Sequence, residues 1–331
     1  MSAHGERREA DPVRIWVALG TVYVIWGTTY LAIEHVNRTM PTLIAAGVRF
    51  LIAGTIMYAF TVRRGDREGD RPTARAWGAA TVIGGGLLLG GNGLVALSER
   101  TVPTGIVALI IALVPIWMAL IDAVLLGRRP RPAVVVGLAA GFAGAAGLVT
   151  ASASHGVALS GLLLPCFASM SWASASLYSR TAPLPKRPFV GIGMEMLCGG
   201  ALLVVAGLAT GEARDLDLGA ISSGSVLGLL YLIVFGSFAG FASYVWLLRN
   251  ARTSLVSTYA YVNPVVAVAL GWAFLGERVT SRMVVAGAVI LAAVALIIAS
   301  HAERPTPDLT SGAELPDDGG DEVQGEVALE R

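Results

Sequence analysis

Residues 104–126 read TGIVALIIALVPIWMALIDAVLL and contain a single charged side chain, Asp122. A helix of about 20 apolar residues is long enough to cross the hydrocarbon core of a bilayer. This stretch meets that length, so it predicts a transmembrane helix rather than a helix of a water-soluble core. It decides the class of fold because the chain on both sides repeats the pattern.

Nine similar apolar runs flank this one. The ten runs lie at about 15–34, 42–62, 77–98, 104–126, 133–151, 158–178, 188–209, 224–247, 254–275 and 281–300. The chain is 55% hydrophobic and 14% charged, which is typical of polytopic membrane proteins. We therefore predict an all-α membrane protein with ten transmembrane helices and no separate soluble domain. The basic start before residue 15 would also suit a signal peptide, but no small-residue cleavage pattern clearly follows it.

Lys and Arg are distributed unevenly between the predicted loops. With the N-terminus in the cytoplasm, 18 of the 24 lie on the cytoplasmic side and five on the other, and Arg49 lies within a span. Positively charged loops stay in the cytoplasm, so we predict an inner (plasma) membrane protein with both termini cytoplasmic. Residues 1–14 would form a cytoplasmic segment. Residues 303–331 are acidic and rich in Pro and Gly, which predicts a disordered cytoplasmic tail.

The two halves of the chain resemble each other. Pro115 and Gly127 are twelve residues apart, as are Pro264 and Gly276 in the second half. We predict two repeats, residues 15–151 and 158–300. Because each contains five helices, an odd number, the second would enter the membrane from the opposite side and form an inverted repeat. Such repeats suit alternating access around a site at their interface.

Four short motifs occur in a characteristic order. They are Trp26-Gly27-Thr28-Thr29-Tyr30, Gly47-Val48-Arg49-Phe50, Tyr261-Val262-Asn263-Pro264 and Leu275-Gly276-Glu277-Arg278. Together they resemble the signatures of EamA-type transporters of the drug/metabolite transporter (DMT) superfamily. The resemblance implies ten helices in two EamA repeats and the export of amino acids, related metabolites or drugs. Arg128 departs from it, because the first repeat of the family often has a glutamate at this position.

Aromatic and amide side chains within the spans are the candidate substrate-binding residues. An aromatic wall with few fixed charges suits small amphipathic solutes, including amines through cation–π contacts. Aromatic residues in spans also pack without any binding role. The candidates are Trp26, Tyr30, Asn92, Trp117, Trp172, Tyr244, Tyr261 and Asn263.

Three charged side chains and two prolines within spans have separate roles to consider. Arg49 and Glu195 occupy matching repeat positions, and Asp122 lies nearer the end of its span. Intramembrane charges mark ion pathways or pair between helices, so Glu195 is either a proton-coupling carboxylate or a structural one. Pro115 and Pro264 each remove a helical hydrogen bond, which suits paired hinges or tolerated kinks.

Other functions find less support. All four histidines lie outside the spans, and there is no HExxH or GxxxxGK[ST] motif, which argues against an intramembrane enzyme, a metal site or ATP hydrolysis. A pH-independent facilitator or channel-like permease is the alternative to a coupled exporter. We expect no cofactor, no metal and no nucleic acid. The expected partners are a small-molecule solute and the bilayer, while coupling to protons and formation of a homodimer stay open.

Overall fold

The computed structural model describes residues 11–63, 71–125, 132–154, 156–251, 253–256 and 258–302. Residues 1–10 of the predicted N-terminal segment, the predicted tail 303–331 and the motif around Arg128 lie outside this range. All regular secondary structure within it is helical. The fold class predicted from the apolar runs is therefore confirmed as helical.

Ten long helical segments follow one another along the chain. They are α1 (Pro12–Asn37), α2 (Thr42–Arg63), α3 (Ala74–Ser98), α4 (Thr104–Leu125), α5 (Pro132–Ser154), α6 (Leu159–Ser179), α7 (Pro188–Ala209), α8 (Ser223–Tyr231, Leu232–Ala239 and Gly240–Asn250), α9 (Tyr259–Leu275) and α10 (Ser281–Ala302). Short helices at Glu212–Asp215 and Thr253–Val256 join some of them.

Eight of these segments are long and apolar enough to cross a membrane. The other two are α6, which has 21 residues but contains six serines, and α9, which is apolar but only 17 residues long. The protein is thus a multi-pass membrane protein, and the count of ten spans stays a prediction.

The packing of the helices has an internal two-fold pattern. Helix α1 packs against α8 and α9, and its counterpart five places on, α6, packs against α3 and α4. Helix α2 also packs extensively against α7, and α5 against α10, and each of these pairs joins a helix to its own counterpart. Exchanging every helix with the one five places on leaves these contacts unchanged, as expected of two repeats.

Glycines allow α2 and α7, and likewise α5 and α10, to approach each other closely. A Cβ atom on Gly47 would lie 2.8 Å from the carbonyl oxygen of Gly200, and one on Gly200 would lie 3.0 Å from that of Gly47. In α5, a Cβ on Gly137 would lie 3.2 Å from the carbonyl oxygen of Ala293 in α10, and one on Gly141 would lie 3.5 Å from the Cβ of the same residue. These small faces join the two halves by backbone-level packing, as is common between membrane helices.

Helices α3 and α8 share an unusual feature. Each changes to π-helix in its middle, at Gly85–Gly93 in α3 and at Leu232–Ala239 in α8. Such i→i+5 segments are rare and are often found at functional sites. They widen the two helices at equivalent places in the two repeats.

The two predicted hinge prolines lie in different backbone settings. Helix α4 is interrupted at Ala112 and Leu113, and Pro115 lies in the first turn after the break, where its missing N–H costs least. Pro264 lies inside the continuous helix α9. A third proline, Pro165, lies within α6. The role of Pro115 and Pro264 as hinges stays a prediction.

Candidate functional site

A cavity of about 130 Å³ lies between the two repeats. Helices α1 to α4 of the first repeat contribute to its wall, as do α6, α8 and α9 of the second. The π-helical segments of α3 and α8 face it through Gly91, Asn92 and Gly236. Gly91 brings the backbone close to Trp172, whose ring would lie 2.7 Å from a Cβ at that position. The cavity therefore forms where the repeats meet and where both widened helices lie.

Seven of the residues predicted from the sequence line this cavity. They are Trp26, Tyr30, Arg49, Asn92, Trp172, Asn263 and Pro264. Six others do not line it, namely Pro115, Trp117, Asp122, Glu195, Tyr244 and Tyr261. The structure thus brings together residues from both halves that are far apart in sequence.

Two of the six outlying residues have packing roles. The indole N–H of Trp117 donates to the Ser169 hydroxyl at 3.0 Å, and its ring meets Phe142 edge to face at 4.8 Å. Tyr244 lies behind the cavity wall, with its ring 5.2 Å from that of Trp26. Tertiary packing therefore turns these aromatic groups away from the cavity.

Trp26 is the centre of an aromatic cluster. Its ring centroid is 5.6 Å from Phe241, 5.2 Å from Tyr244 and 5.2 Å from Tyr259. Phe241 and Tyr259 also line the cavity, together with Thr29 and Phe50. Tyr259 is one of the aromatic residues of the spans that the family resemblance places around a central cavity. Sequence analysis did not select Thr29, Phe50 or Phe241, although Thr29 and Phe50 are next to Tyr30 and Arg49 in the chain.

Arg49 is a buried cation on the cavity wall, with 5% of its surface exposed. Its Nε donates to the Ser237 hydroxyl of α8 at 3.1 Å, and Ser237 in turn donates to the Leu232 carbonyl. The guanidinium carbon lies 4.5 Å from the centre of the Phe50 ring. Among the described residues Arg49 makes no ion pair. The first repeat therefore presents a positive charge that the second repeat positions but does not neutralise.

The amide residues add polar groups to the same space. Asn92 donates to the Leu87 carbonyl at 3.4 Å within the π-helical segment of α3. Asn263 is 7% exposed, and its Oδ1 atom has no hydrogen-bond donor among the described residues. A buried acceptor without a donor is costly unless a ligand or water supplies one.

At one end of the helix bundle, glutamate carboxylates bind backbone N–H groups. We call this the acidic end, and it comprises residues 34–43, 96–105, 212–225 and 277. Glu277, which follows α9, accepts from the Thr104 backbone N–H at 2.6 Å, the Thr104 hydroxyl at 2.8 Å and the Gly105 N–H at 3.1 Å. Glu212 accepts from the backbone N–H groups of Leu43 and Ile44. These two glutamates of the second repeat thus each cap a helix N-terminus of the first.

Two further glutamates lie at the acidic end. Glu34 accepts from the Arg38 Nε at 3.0 Å. Glu99 is 6% exposed, and neither of its carboxyl oxygens has a donor among the described residues. Burial raises the pKa of Glu99 well above its usual value of 4.5, and the nearby charges of Glu277 and Glu34 raise it further. Sequence analysis missed Glu99 because it lies in a short loop, where an acidic residue normally faces water.

The opposite end, which we call the basic end (residues 58–63, 74–80 and 184–194), is packed differently. Tyr58 and Trp77 lie with their rings 5.5 Å apart, and Arg187 donates to the Thr61 carbonyl at 3.1 Å. Ala76, Ala80, Val190 and Met194 form a buried apolar cluster here. No group of three or more potential metal ligands occurs in the described part of the chain.

Comparison with known proteins agrees with this architecture. The model of the EamA-like transporter family matches twice, at residues 14–150 and 159–299. The "Uncharacterized inner membrane transporter YedA" of Escherichia coli (strain K12) is 39% identical over 282 residues, which cover 85% of this chain and 89% of the relative. The "Probable amino-acid metabolite efflux pump" of Salmonella typhimurium is 25% identical over 290 residues, covering 82% and 90%.

A solved structure described as "Crystal structure of protein" has the same fold. It superposes with a TM-score of 0.60 at 22% sequence identity and covers 88% of this chain and 99% of its own. The double match to the family model covers most of the sequence, and the relative at 39% identity is aligned over nearly its full length. The resemblance inferred from the four motifs is therefore confirmed, and the chain belongs to the EamA-like transporter family.

Proposed function

We propose that this protein is a secondary transporter of the inner membrane that exports small metabolites, such as amino acids, or amphipathic drugs by alternating access. The observation that carries the proposal is the cavity between the repeats, which helices from both halves line. A site at such an interface becomes accessible from either side when the two halves change their relative packing. Trp26, Tyr30, Asn92, Trp172 and Asn263 are the proposed substrate contacts.

The proposed topology has ten spans in two inverted repeats, at about 15–151 and 158–300, with both termini in the cytoplasm. The excess of Lys and Arg in the loops of one side supports it. The serines of α6 lower its apolarity, but Ser169 and Ser171 make hydrogen bonds within the protein, which lessens the cost of placing them in a bilayer. In this topology the acidic end faces away from the cytoplasm.

Two polar groups of the cavity favour a solute with a carboxylate and an amine. The terminal nitrogens of Arg49 make no hydrogen bond to any residue that the structure describes, which leaves a planar donor pair for a carboxylate. The Oδ1 atom of Asn263 lacks a donor, and an ammonium group would supply one. The aromatic rings would surround the apolar part of the solute. The name of the relative from Salmonella typhimurium points to the same class.

Flux in proteoliposomes tests the proposal. We expect saturable efflux of labelled amino acids and counterflow, in which unlabelled solute on one side accelerates labelled solute on the other. Substituting Arg49→Gln should raise the KM for amino acids by about tenfold or more, since a charge-assisted hydrogen bond contributes about 1.5–3 kcal/mol. The corresponding decarboxylated amines should be affected much less. Arg214→Gln, at an exposed position of the short helix Glu212–Asp215, is the control.

The outcomes separate the candidate functions. Flux that does not saturate and shows no counterflow would indicate a channel-like permease. Saturable flux that ignores an imposed pH gradient would indicate a facilitator. Equal effects of Arg49→Gln on amino acids and amines would contradict the carboxylate site but leave the transporter in place. If Arg49→Gln does not fold, stabilisation of the wild type by amino acids but not by amines gives the same information.

A further inference from the structure

Glu99 differs from the other glutamates described at the acidic end because both of its carboxyl oxygens are buried without a donor. Glu277 accepts three hydrogen bonds and Glu34 accepts one from Arg38. Only 6% of the surface of Glu99 is exposed, and both of its carboxyl oxygens are buried without any hydrogen-bond donor among the described residues. A carboxylate anion in such a place would be far less stable than a neutral carboxyl group.

Two neighbouring carboxylates disfavour a negative charge on Glu99, and the described cations near them, Arg38 and His35, contact Glu34 rather than Glu99. Glu34 and Tyr30 face it from α1, and Glu277 faces it from the end of α9. Helix α6 approaches through the Gly161 carbonyl, which accepts from Ser98, and residues 159–165 contain no titratable side chain. The adjacent Arg100 is exposed and makes no ion pair among the described residues.

The position of Glu99 relates it to the cavity. Val95 lines the cavity, and Glu99 follows one helical turn later, with its backbone N–H bonded to the Val95 carbonyl at 3.0 Å. Ile33 also lines the cavity and is next to Glu34 in the chain. Ala108 lines it too, one helical turn after Thr104, which binds Glu277. The carboxyl cluster therefore lies directly beyond the cavity at the acidic end, on the elements that close it.

We propose that Glu99 is a proton-binding site whose protonation closes the acidic end of the cavity and whose deprotonation opens it. The carboxylate takes one proton from water on that side to become a neutral carboxylic acid. When the proton is lost, the negative charge is repelled by Glu34 and Glu277, and opening toward water relieves both the repulsion and the burial. The inference rests on the proposed alternating access, because it assigns the group that controls one of the two openings.

The ligand is a proton rather than a metal cation. Both oxygens of Glu277 are turned toward Thr104 and Gly105, so they do not face Glu99 as additional ligands. In the described residues no three acidic, histidine or cysteine side chains are grouped as a metal site requires. One carboxyl group without donors suits a proton alone.

Accessibility of a cysteine in the cavity tests the proposal without needing the solute. Ala112→Cys is introduced after replacing Cys166 and Cys198 by Ala, and cells are treated from outside with a membrane-impermeant thiol reagent. Each labelling rate is divided by the rate of the same reagent with free cysteine at that pH, because the thiolate is the reactive form and its fraction rises with pH. We expect this normalised rate to increase by about fivefold or more as the outside pH is raised from acidic to mildly alkaline values. Glu99→Gln, which stays neutral, should label slowly at every pH. Asp215→Asn, at an exposed position of the same end, should keep the wild-type pH dependence.

Three results would overturn the inference. The first is a normalised labelling rate that does not change with pH in the wild-type background. The second is a normalised rate in Glu99→Gln that changes with pH as in the wild type. The third is a normalised rate that changes when choline replaces sodium but not when the pH changes. If solute flux is demonstrated but labelling ignores pH, only this inference fails. If labelling responds to pH but no solute is transported, the proposed function fails and the proton site stands.

A second measurement covers the case in which the cysteine variant does not fold. The pKa of Glu99 is raised in the folded protein, so its protonated form is favoured there relative to the unfolded chain. The resulting stabilisation is complete below the usual carboxyl pKa and is lost as the pH rises through the raised one. The wild-type Tm in detergent should therefore fall over this range, and the Tm of Glu99→Gln should fall less. Identical slopes would contradict the proposal.

Discussion

The two ends of the helix bundle are held by different kinds of contact. At the acidic end, Glu212 and Glu277 of the second repeat bind backbone N–H groups of the first. Toward the basic end, the aromatic cluster around Trp26 forms part of the cavity wall, and the Tyr23 hydroxyl forms a hydrogen bond with the Thr258 hydroxyl. Carboxylate caps are directional and are lost over a small displacement, whereas aromatic packing tolerates sliding.

This difference shows that the two ends of a duplicated fold can be held by chemically different contacts. The helices equivalent to α2 and α4 are α7 and α9, and their N-termini have no carboxylate cap among the described residues. The repeat therefore preserves the helix positions but not the chemistry of the helix ends. We infer that the acidic end is the more strongly held of the two, and three substitutions test this ranking.

The largest effect is expected for Glu277→Ala. The substitution leaves two backbone N–H groups and one hydroxyl at the start of α4 without their acceptor. We expect the free energy of unfolding in detergent to fall by about 3 kcal/mol, because each buried unsatisfied donor costs about 1–3 kcal/mol. Glu277→Gln should be intermediate. If the free energy of unfolding falls no more than in the exposed control Asp215→Asn, the hydrogen bonds of Glu277 do not hold this end together.

A smaller loss is expected for Glu212→Ala. Glu212 is 7% exposed and accepts from only two N–H groups, at the start of α2. Loss of a helix N-cap costs about 0.5–2 kcal/mol, so we expect a decrease of about 2 kcal/mol in the free energy of unfolding, measured as for Glu277. The double variant with Glu277→Ala should be close to additive, since the two caps hold different helices. A decrease larger than that of Glu277→Ala would reverse the ranking within the acidic end.

The smallest effect is expected for Tyr23→Phe. The change removes one hydroxyl and its bond to Thr258 but leaves the ring in place. We expect a loss of about 1 kcal/mol in the free energy of unfolding, as for one neutral hydrogen bond. Tyr178→Phe, at an exposed position, is the matched control and should be neutral. A loss equal to that of Glu277→Ala would remove the contrast between the two ends.

Parts of the site were predictable from local sequence. Trp26, Asn92, Trp172 and Asn263 were selected as polar or aromatic residues within apolar runs, and all of them line the cavity. Trp117 met the same criterion, but its indole is bonded to Ser169 outside the cavity. Local composition shows which residues are unusual in a membrane span, while the direction in which each side chain points depends on the neighbouring helices.

Other features gave no local signal. The π-helical segments of α3 and α8 depend on how the glycines of α3 and the residues around Gly236 pack against other helices. The carboxylate caps join Glu277 to Thr104 and Glu212 to Leu43, pairs that are 173 and 169 residues apart in the sequence. No pattern within one helix indicates such a partner.

The sequence by itself determined the helical membrane class, the two repeats and the family, because the apolar runs, their spacing and the four motifs are properties of the chain read in order. The tertiary structure alone decided which of those residues share a cavity, which glutamates cap helices, and that Glu99 has no donor. The physical reason is that apolar length is a local quantity, whereas burial, charge compensation and hydrogen-bond satisfaction depend on which distant groups the fold brings into contact.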